Sequence, residues 1–97
     1  ILKMAYSIVI EPAAIQDIQQ AIDYYDEQQI GLSKKFETSL NKQLVSLAKN
    51  PFYQVRYDNV HCLPLKKHPY MVHFTIDEAS QTITIRAVFH TSRSPEN

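Results

Sequence analysis

The segment Pro69–Pro95, PYMVHFTIDEASQTITIRAVFHTSRSP, decides the fold because it holds two runs in which apolar and polar residues alternate. Successive side chains of a strand point to opposite faces, so each run predicts a strand with one face in a core. The intervening Glu78–Gln81 predicts a four-residue hairpin loop. The apolar faces are Tyr70, Val72, Phe74 and Ile76 in the first run and Ile83, Ile85, Ala87 and Phe89 in the second.

Matching the two apolar faces sets the register of the hairpin, because a slip of one residue would turn every apolar side chain to the other face. The second face should then carry His73, Arg86 and His90, with His73 directly opposite Arg86. Like charges opposed on one face are destabilising, so Arg86 should disfavour a protonated His73 at low pH. The other expected pairs are Ile76 with Ile83, Phe74 with Ile85, Val72 with Ala87, Tyr70 with Phe89 and Met71 with Val88.

The composition describes one small soluble domain. Ninety-seven residues, 44% hydrophobic and 21% charged, suffice for one core and are too few for two. Met4 suits an initiator, so Ile1, Leu2 and Lys3 are left out and the domain is placed at residues 4–97. The formal net charge is +0, so no overall field draws the chain to nucleic acid.

The single cysteine, Cys62, excludes an internal disulfide and is interpreted as a small buried hydrophobe in a reducing compartment. No apolar run approaches the ~18 residues of a membrane span, and no signal peptide pattern is present. We therefore predict a cytoplasmic protein without a membrane partner. His61 and Cys62 are adjacent and point to opposite faces, and no pair of residues has ligand spacing, so we predict no metal and no cofactor.

The rest of the chain predicts a strand, two helices and a further strand. Tyr6–Ile10 is rich in β-branched residues, as strands are. Apolar residues spaced by three and four predict one helix from Pro12 to near Gln29 and a second from Leu32 to Asn50, separated by Gly31, the only glycine. Residues 51–59 are predicted as a packed loop and residues 60–65 as a strand, in which Pro64 requires either a sheet edge or a strand end.

The predicted order is β-α-α-β-β-β, an α+β fold. Two helices joined by about two residues run antiparallel, and the shared apolar stripe of this helical hairpin needs a sheet to cover it. We expect a mostly antiparallel sheet with strands in the order 1-4-3-2, whose apolar face the hairpin covers.

This order resembles the RelE/ParE superfamily of bacterial toxins, given Pro69-Tyr70 at the start of the third strand and the run 87–95 at the end of the fourth. The resemblance covers nearly the whole chain. It implies the toxin of a type II toxin–antitoxin pair, held inactive by a cognate antitoxin, as a homodimer or a heterotetramer with that antitoxin. Further matching points are Ala-x-x-Asp-Ile at 14–18, Tyr24-Tyr25 and Asn50-Pro51.

Within the superfamily, the closing His-x-x-Arg-x-Pro of residues 90–95 looks more like the ParE branch, also called plasmid stabilisation proteins. That branch implies growth inhibition by protein contact with DNA gyrase. Toxins of the RelE-like branch often carry an arginine after the Pro-Tyr pair and some use a tyrosine near the C-terminus. Here Met71 follows the pair and no tyrosine follows Tyr70. Ribosome binders are also usually strongly basic, unlike this chain.

The alternative is a RelE-like endoribonuclease that cuts mRNA on the ribosome, which would need a base, an acid and cations around one phosphate. A third alternative is a protein-binding domain without toxicity. Each candidate catalytic residue also has an ordinary interpretation as a strand-end cap, a solvated cross-strand pair or a charge that protects an edge strand. The candidates are Lys66, Lys67, His73, Arg86, His90 and Arg93.

The antitoxin is expected on the helical hairpin and a sheet edge, because so small a domain has little room for a deep pocket. Tyr24 lies off the apolar stripe of the first helix and is a candidate anchor, unless it packs on the loop Phe52–Tyr57. Arg86, His90 and Arg93 are expected to attract acidic residues of the partner.

Overall fold

The computed structural model describes residues 6–50, 55–57 (backbone only) and 60–91. The predicted order of elements is confirmed, with one short strand added inside the segment 51–59 that was predicted as a loop. Its sequence, Val-Arg-Tyr, contains the β-branched and aromatic residues that strands favour. The elements are β1 (Ser7–Ile10), α1 (Pro12–Gln28), α2 (Leu32–Lys49), β2 (Val55–Tyr57), β3 (Val60–Pro64), β4 (Tyr70–Asp77) and β5 (Thr82–His90).

The strands form one five-stranded sheet in the order β1-β5-β4-β3-β2. The four predicted strands therefore take the predicted order 1-4-3-2, and the added strand β2 extends the edge beside β3. The sheet is mixed, because β1 runs parallel to β5 while the other neighbours are antiparallel. Parallel neighbours need a long crossover connection, which here contains both helices and three strands.

The core lies between one face of the sheet and the two helices. The regularly spaced apolar residues of α2 pack on this side, with Phe36, Leu40 and Leu47 buried. The predicted apolar face of β4 packs there as well. Burial of these large side chains supplies the main favourable term in folding. The largest side chains that are fully buried are Phe36, Leu47, Val72, Phe74, Ile83 and Ile85.

The predicted register of the β4–β5 hairpin is right next to the loop and wrong toward its open end. Phe74 lies opposite Ile85 as expected, but His73 lies opposite Ala87, which makes Arg86 an extra residue of β5. Such an extra residue is a β-bulge. Every pair beyond it is displaced by one position. The observed pairs there are Val72 with Val88, Met71 with Phe89 and Tyr70 with His90, whereas Ile76 with Ile83 agrees with the prediction.

The bulge also exchanges the faces of the C-terminal half of β5, because an extra residue shifts the in–out alternation by one position. Val88, expected on the outer face, is 3% exposed and belongs to the core. Phe89, expected in the core, is only partly buried. His90 pairs with the core residue Tyr70 and lies on the helix side of the sheet, not beside His73.

Gly31 forms the turn between the two helices and directly precedes α2. Its φ is +94°, in the left-handed region that glycine adopts without a steric penalty. A Cβ added here would meet no atom within 4 Å. A substitution would therefore be strained by its backbone conformation and not by a clash.

We expect Gly31→Ala to lower the free energy of unfolding by about 1–2 kcal/mol, because a left-handed conformation brings Cβ close to the following carbonyl oxygen. Gly31→Asn is the matched control and should lose less, since asparagine adopts this conformation more readily. Urea unfolding followed by circular dichroism measures both values. Equal losses in the two variants would contradict a backbone origin.

Candidate partner-binding cleft

A cleft of about 180 Å³ lies between α1 and the C-terminal end of β5. Asp17, Gln20 and Tyr24 line it from the helix. Their spacing of three and four residues places them along one helix face. Tyr70 and His90, a pair across β4 and β5, line it from the sheet. The bulge brings His90 to this cleft, since without the extra residue His90 would lie on the other face.

Asp17 connects the helix to an open edge of β5. β1 pairs with β5 only as far as Ile85, and no other described strand follows on that side. The Oδ2 atom of Asp17 accepts a hydrogen bond of 3.0 Å from the backbone N–H of Val88, in a partly buried position. The carboxylate thus satisfies a strand-edge donor that would otherwise lack a partner in the sheet.

Sequence reasoning did not recognise Asp17 as a site residue. A signal was present, because Asp17 lies three residues after Ala14 and four before Ala21, both fully buried. A carboxylate on the buried side of a helix needs a hydrogen-bond donor. The position of that donor in β5 follows only from the fold.

Tyr24 stands at the rim of the cleft and is 50% exposed, in agreement with its predicted place off the apolar stripe. Its ring meets that of Tyr25 edge-on at a centroid distance of 5.4 Å. Tyr25 packs in turn against Phe36 and Tyr70. Burial, with smaller effects of Tyr70 and Tyr24, raises the pKa of Tyr25, which keeps its hydroxyl neutral. The alternative contact of Tyr24 with the loop Phe52–Tyr57 lies outside the described residues.

Arg86 projects from the bulge toward the start of α1. Its Nη1 donates to Oε2 of Glu11 at 2.7 Å, and the two side chains are 48% and 38% exposed. The expectation that Arg86 lies opposite His73 is wrong, and the low-pH repulsion predicted for that pair loses its geometric basis. Exposed ion pairs of this kind contribute about 0–1 kcal/mol, so this one orients Arg86 more than it stabilises the fold.

His73 is 9% exposed and lies opposite Cys62 on one side and Ala87 on the other. Its ring contacts that of Phe89 edge-on at 4.9 Å. Cys62 is buried, at 8% exposure, as its interpretation as a small buried hydrophobe predicts. His61 lies opposite Phe74, on the other face from Cys62, as predicted.

Lys66 and Lys67 line a second and larger groove of about 890 Å³, whose other wall is α2. His68 follows them and also lines the groove. Its ring lies edge-on to those of Tyr25 and Phe36, at 5.5 Å and 5.6 Å. Burial lowers the pKa of His68 and Lys67 lowers it further, so the ring is neutral at pH 7. The adjoining lysines therefore supply the positive charge.

The five catalytic candidates that the structure describes lie in four different environments. Lys66 and Lys67 line the groove, and Arg86 is bound to Glu11. His73 is buried against Phe89, while His90 lies in the cleft, with its ring 5.0 Å from that of Tyr70. Arg93 lies outside the described residues. Acid–base cleavage requires its groups within reach of one phosphate, and these placements do not provide such a cluster.

No group of three His, Cys, Asp or Glu side chains among the described residues is arranged to hold a metal ion. None of the helices in that part of the chain is both long enough and apolar enough to cross a membrane.

Comparison with known proteins gives one family match. The model of the ParE toxin of the type II toxin–antitoxin system parDE matches residues 8–95. No match was found among curated proteins.

Several solved structures share the fold. In the chromosomal ParDE system of P. aeruginosa, a chain is 20% identical, with a TM-score of 0.73 and coverage of 89% of this chain and 96% of that one. The E. coli RelBE toxin–antitoxin complex gives 15% identity, a TM-score of 0.63 and coverage of 87% and 94%. The archaeal RelE–RelB complex of Pyrococcus horikoshii gives 13% identity, a TM-score of 0.63 and coverage of 94% of this chain and 100% of that one. At these identities the structures show a shared fold only.

We expect Asp17→Ala to lower the free energy of unfolding by about 1–3 kcal/mol, because it leaves the N–H of Val88 without its acceptor. Asp17→Asn keeps an oxygen at the same position and should recover most of the loss. Chemical unfolding of the three proteins measures this difference. Similar losses in both variants would show that charge, and not the hydrogen bond, is responsible.

Proposed function

Because this chain belongs to the family of ParE toxins from type II toxin–antitoxin systems, we propose that it inhibits growth by protein contact with DNA gyrase and that a cognate antitoxin neutralises it. The observation that carries the proposal is the family match, which extends over residues 8–95. The gyrase target rests on the closing His-x-x-Arg-x-Pro of residues 90–95, which resembles the ParE branch. The protein would then act in the cytoplasm, in the role of a plasmid stabilisation protein.

The placement of the basic residues supports action by contact. A ribonuclease must bring its acid, its base and its cations to one phosphate. Here Arg86 is engaged with Glu11, His73 is buried, and Lys66 and Lys67 face a different groove from the cleft that holds His90. Protein contact needs no such convergence, since it depends on shape and on a few exposed anchors.

The cleft and the neighbouring edge of β5 are the surface proposed for the antitoxin. Tyr24 offers a half-exposed aromatic ring whose position is fixed by Tyr25 behind it. Rigid aromatic side chains of this kind often dominate binding energy. Beyond Ile85 the edge of β5 has no strand beside it among the described residues. Asp17 already accepts from the N–H of Val88, so a partner segment added at this edge would have to displace that contact or pair beyond it.

Charge would add specificity to this surface. Acidic residues of the antitoxin would meet His90 and Arg93, and would compete with Glu11 for Arg86. The solved structures that share the fold include toxins in complex with their antitoxins. We propose a complex of that type here, with a homodimer or a heterotetramer with the antitoxin as the two alternatives for its assembly.

The target is tested with purified protein in two assays, one of gyrase supercoiling and one of translation with ribosome-engaged mRNA. We expect supercoiling to be inhibited and the message to stay intact, because the catalytic candidates lie apart. Toxin incubated first with its antitoxin is the control and should inhibit neither. Cleavage of the message that disappears in His90→Ala or Arg93→Ala would instead establish the ribonuclease alternative. No effect in either assay would favour a protein-binding domain without toxicity.

The antitoxin surface is tested by titration calorimetry with the protein encoded beside the toxin. We expect Tyr24→Ala, and separately Arg93→Ala, to weaken binding at least tenfold, about 1.4 kcal/mol, through loss of an anchor and of a charge. The matched control is Ile30→Ala, since Ile30 is apolar, 95% exposed and outside the cleft. Unchanged affinity in both test variants would exclude this surface.

A further inference from the structure

Five lysines line the groove between α2 and the β3–β4 connection. One wall is helical, where Lys34, Lys35 and Lys42 lie on the side of α2 that faces the groove. The other wall is the connection, which contributes Lys66 and Lys67. These residues are more than twenty positions apart along the chain, so the fold alone assembles this basic surface.

Among the residues that the structure describes, no acidic side chain lines the groove. Its remaining lining consists of hydroxyl and amide side chains, with the one ring of His68. The acids concentrate on the other helix of the hairpin, so a net charge of +0 conceals a separation of charge between α1 and α2. The acidic residues of α1 are Asp17, Asp23, Asp26 and Glu27.

We propose that this groove binds the sugar–phosphate backbone of duplex DNA without reading its base sequence. Lysine, serine, threonine and glutamine are the side chains that contact phosphate and sugar oxygens in protein–DNA complexes. A groove for a protein partner would have a different composition, because lysine is depleted at protein interfaces while aromatic residues and arginine are enriched. The lining of this groove in the described part of the chain contains neither an aromatic residue other than His68 nor an arginine.

The lining also favours a duplex over a single strand. Proteins that bind single strands place aromatic rings along a basic groove, where successive bases stack. Among the described residues, the only ring in the lining of the groove is that of His68. This ring packs edge-on against the rings of Phe36 and Tyr25. It offers no series of stacking platforms, so the phosphates are the groups that this groove can recognise.

The dimensions fit a short stretch of backbone. From Lys34 to Ser46 the groove follows α2 for twelve residues, which corresponds to about 18 Å at 1.5 Å per residue. Each strand of duplex DNA carries about one charge per 3.4 Å of the helix axis. Roughly five phosphates of one strand therefore lie along that length, one for each of the five lysines.

The binding is measured by fluorescence anisotropy of a labelled 20-base-pair duplex with the purified toxin, in the absence of gyrase. If five phosphates are neutralised, the affinity should fall roughly 500-fold between 50 mM and 200 mM salt, which is a slope of about −4.5. Two duplexes of unrelated sequence should bind equally. The result does not depend on the proposed gyrase target, so failure of one proposal leaves the other testable.

One lysine from each wall is then replaced. In Lys35→Gln and in Lys67→Gln we expect the salt effect to shrink to roughly 150-fold, because each variant loses one phosphate contact. Lys49→Gln is the matched control, since Lys49 is exposed on the same helix but outside the groove, and it should keep the full effect. Circular dichroism confirms that each variant is folded.

The proposal is overturned if the duplex does not bind at 50 mM salt, or if Lys35→Gln and Lys67→Gln leave the salt effect unchanged. It is also overturned if the single strand of the same sequence binds as tightly as the duplex. Tighter binding of a polyglutamate peptide would show that the groove is a site for an acidic protein segment.

Discussion

The arrangement of the molecule depends on one extra residue in β5, the bulge at Arg86. The residues before and after the bulge, and Arg86 itself, form hydrogen bonds with the start of α1. The backbone N–H of Glu11 donates to the carbonyl of Ile85, the side chain of Glu11 accepts from Arg86, and Asp17 accepts from the N–H of Val88. The start of the first helix therefore holds β5 before, at and after the bulge. Of these contacts the partly buried bond to Asp17 should contribute most, since exposed ion pairs contribute little.

A row of packed rings separates the two surfaces that carry the proposals. Tyr70 lines the cleft and His68 lines the groove, and both pack against Tyr25 and Phe36. Among the described residues, the cleft and the groove share no lining residue. Substitutions at surface residues of the two sites should act independently, as they usually do when residues have no common partner.

The sequence predicts the parts of the fold that depend on a local period. The stripe of α2 and the turn at Gly31 follow from spacing and from the special φ of glycine. The bulge does not follow from such a period, because Ala87, Val88 and Phe89 are all apolar. Either register of β5 beyond Arg86, unbroken or shifted by one residue, therefore places apolar side chains in the core. Only the contacts of β5 with α1 decide between the two registers. The strand β2 was missed because three residues, followed directly by the turn residues Asp58 and Asn59, give too short a pattern to recognise.

The groove shows why net charge gives an incomplete prediction. A balance of +0 correctly excludes a strong field at long range. At physiological ionic strength, however, charges interact over a Debye length of about 8 Å, which is less than half of the roughly 18 Å that the groove follows along α2. An anion in the groove is therefore influenced chiefly by Lys34, Lys35, Lys42, Lys66 and Lys67, and less by the acids of α1, which are not part of the groove lining. Local charge, which requires the fold, determines what can bind there.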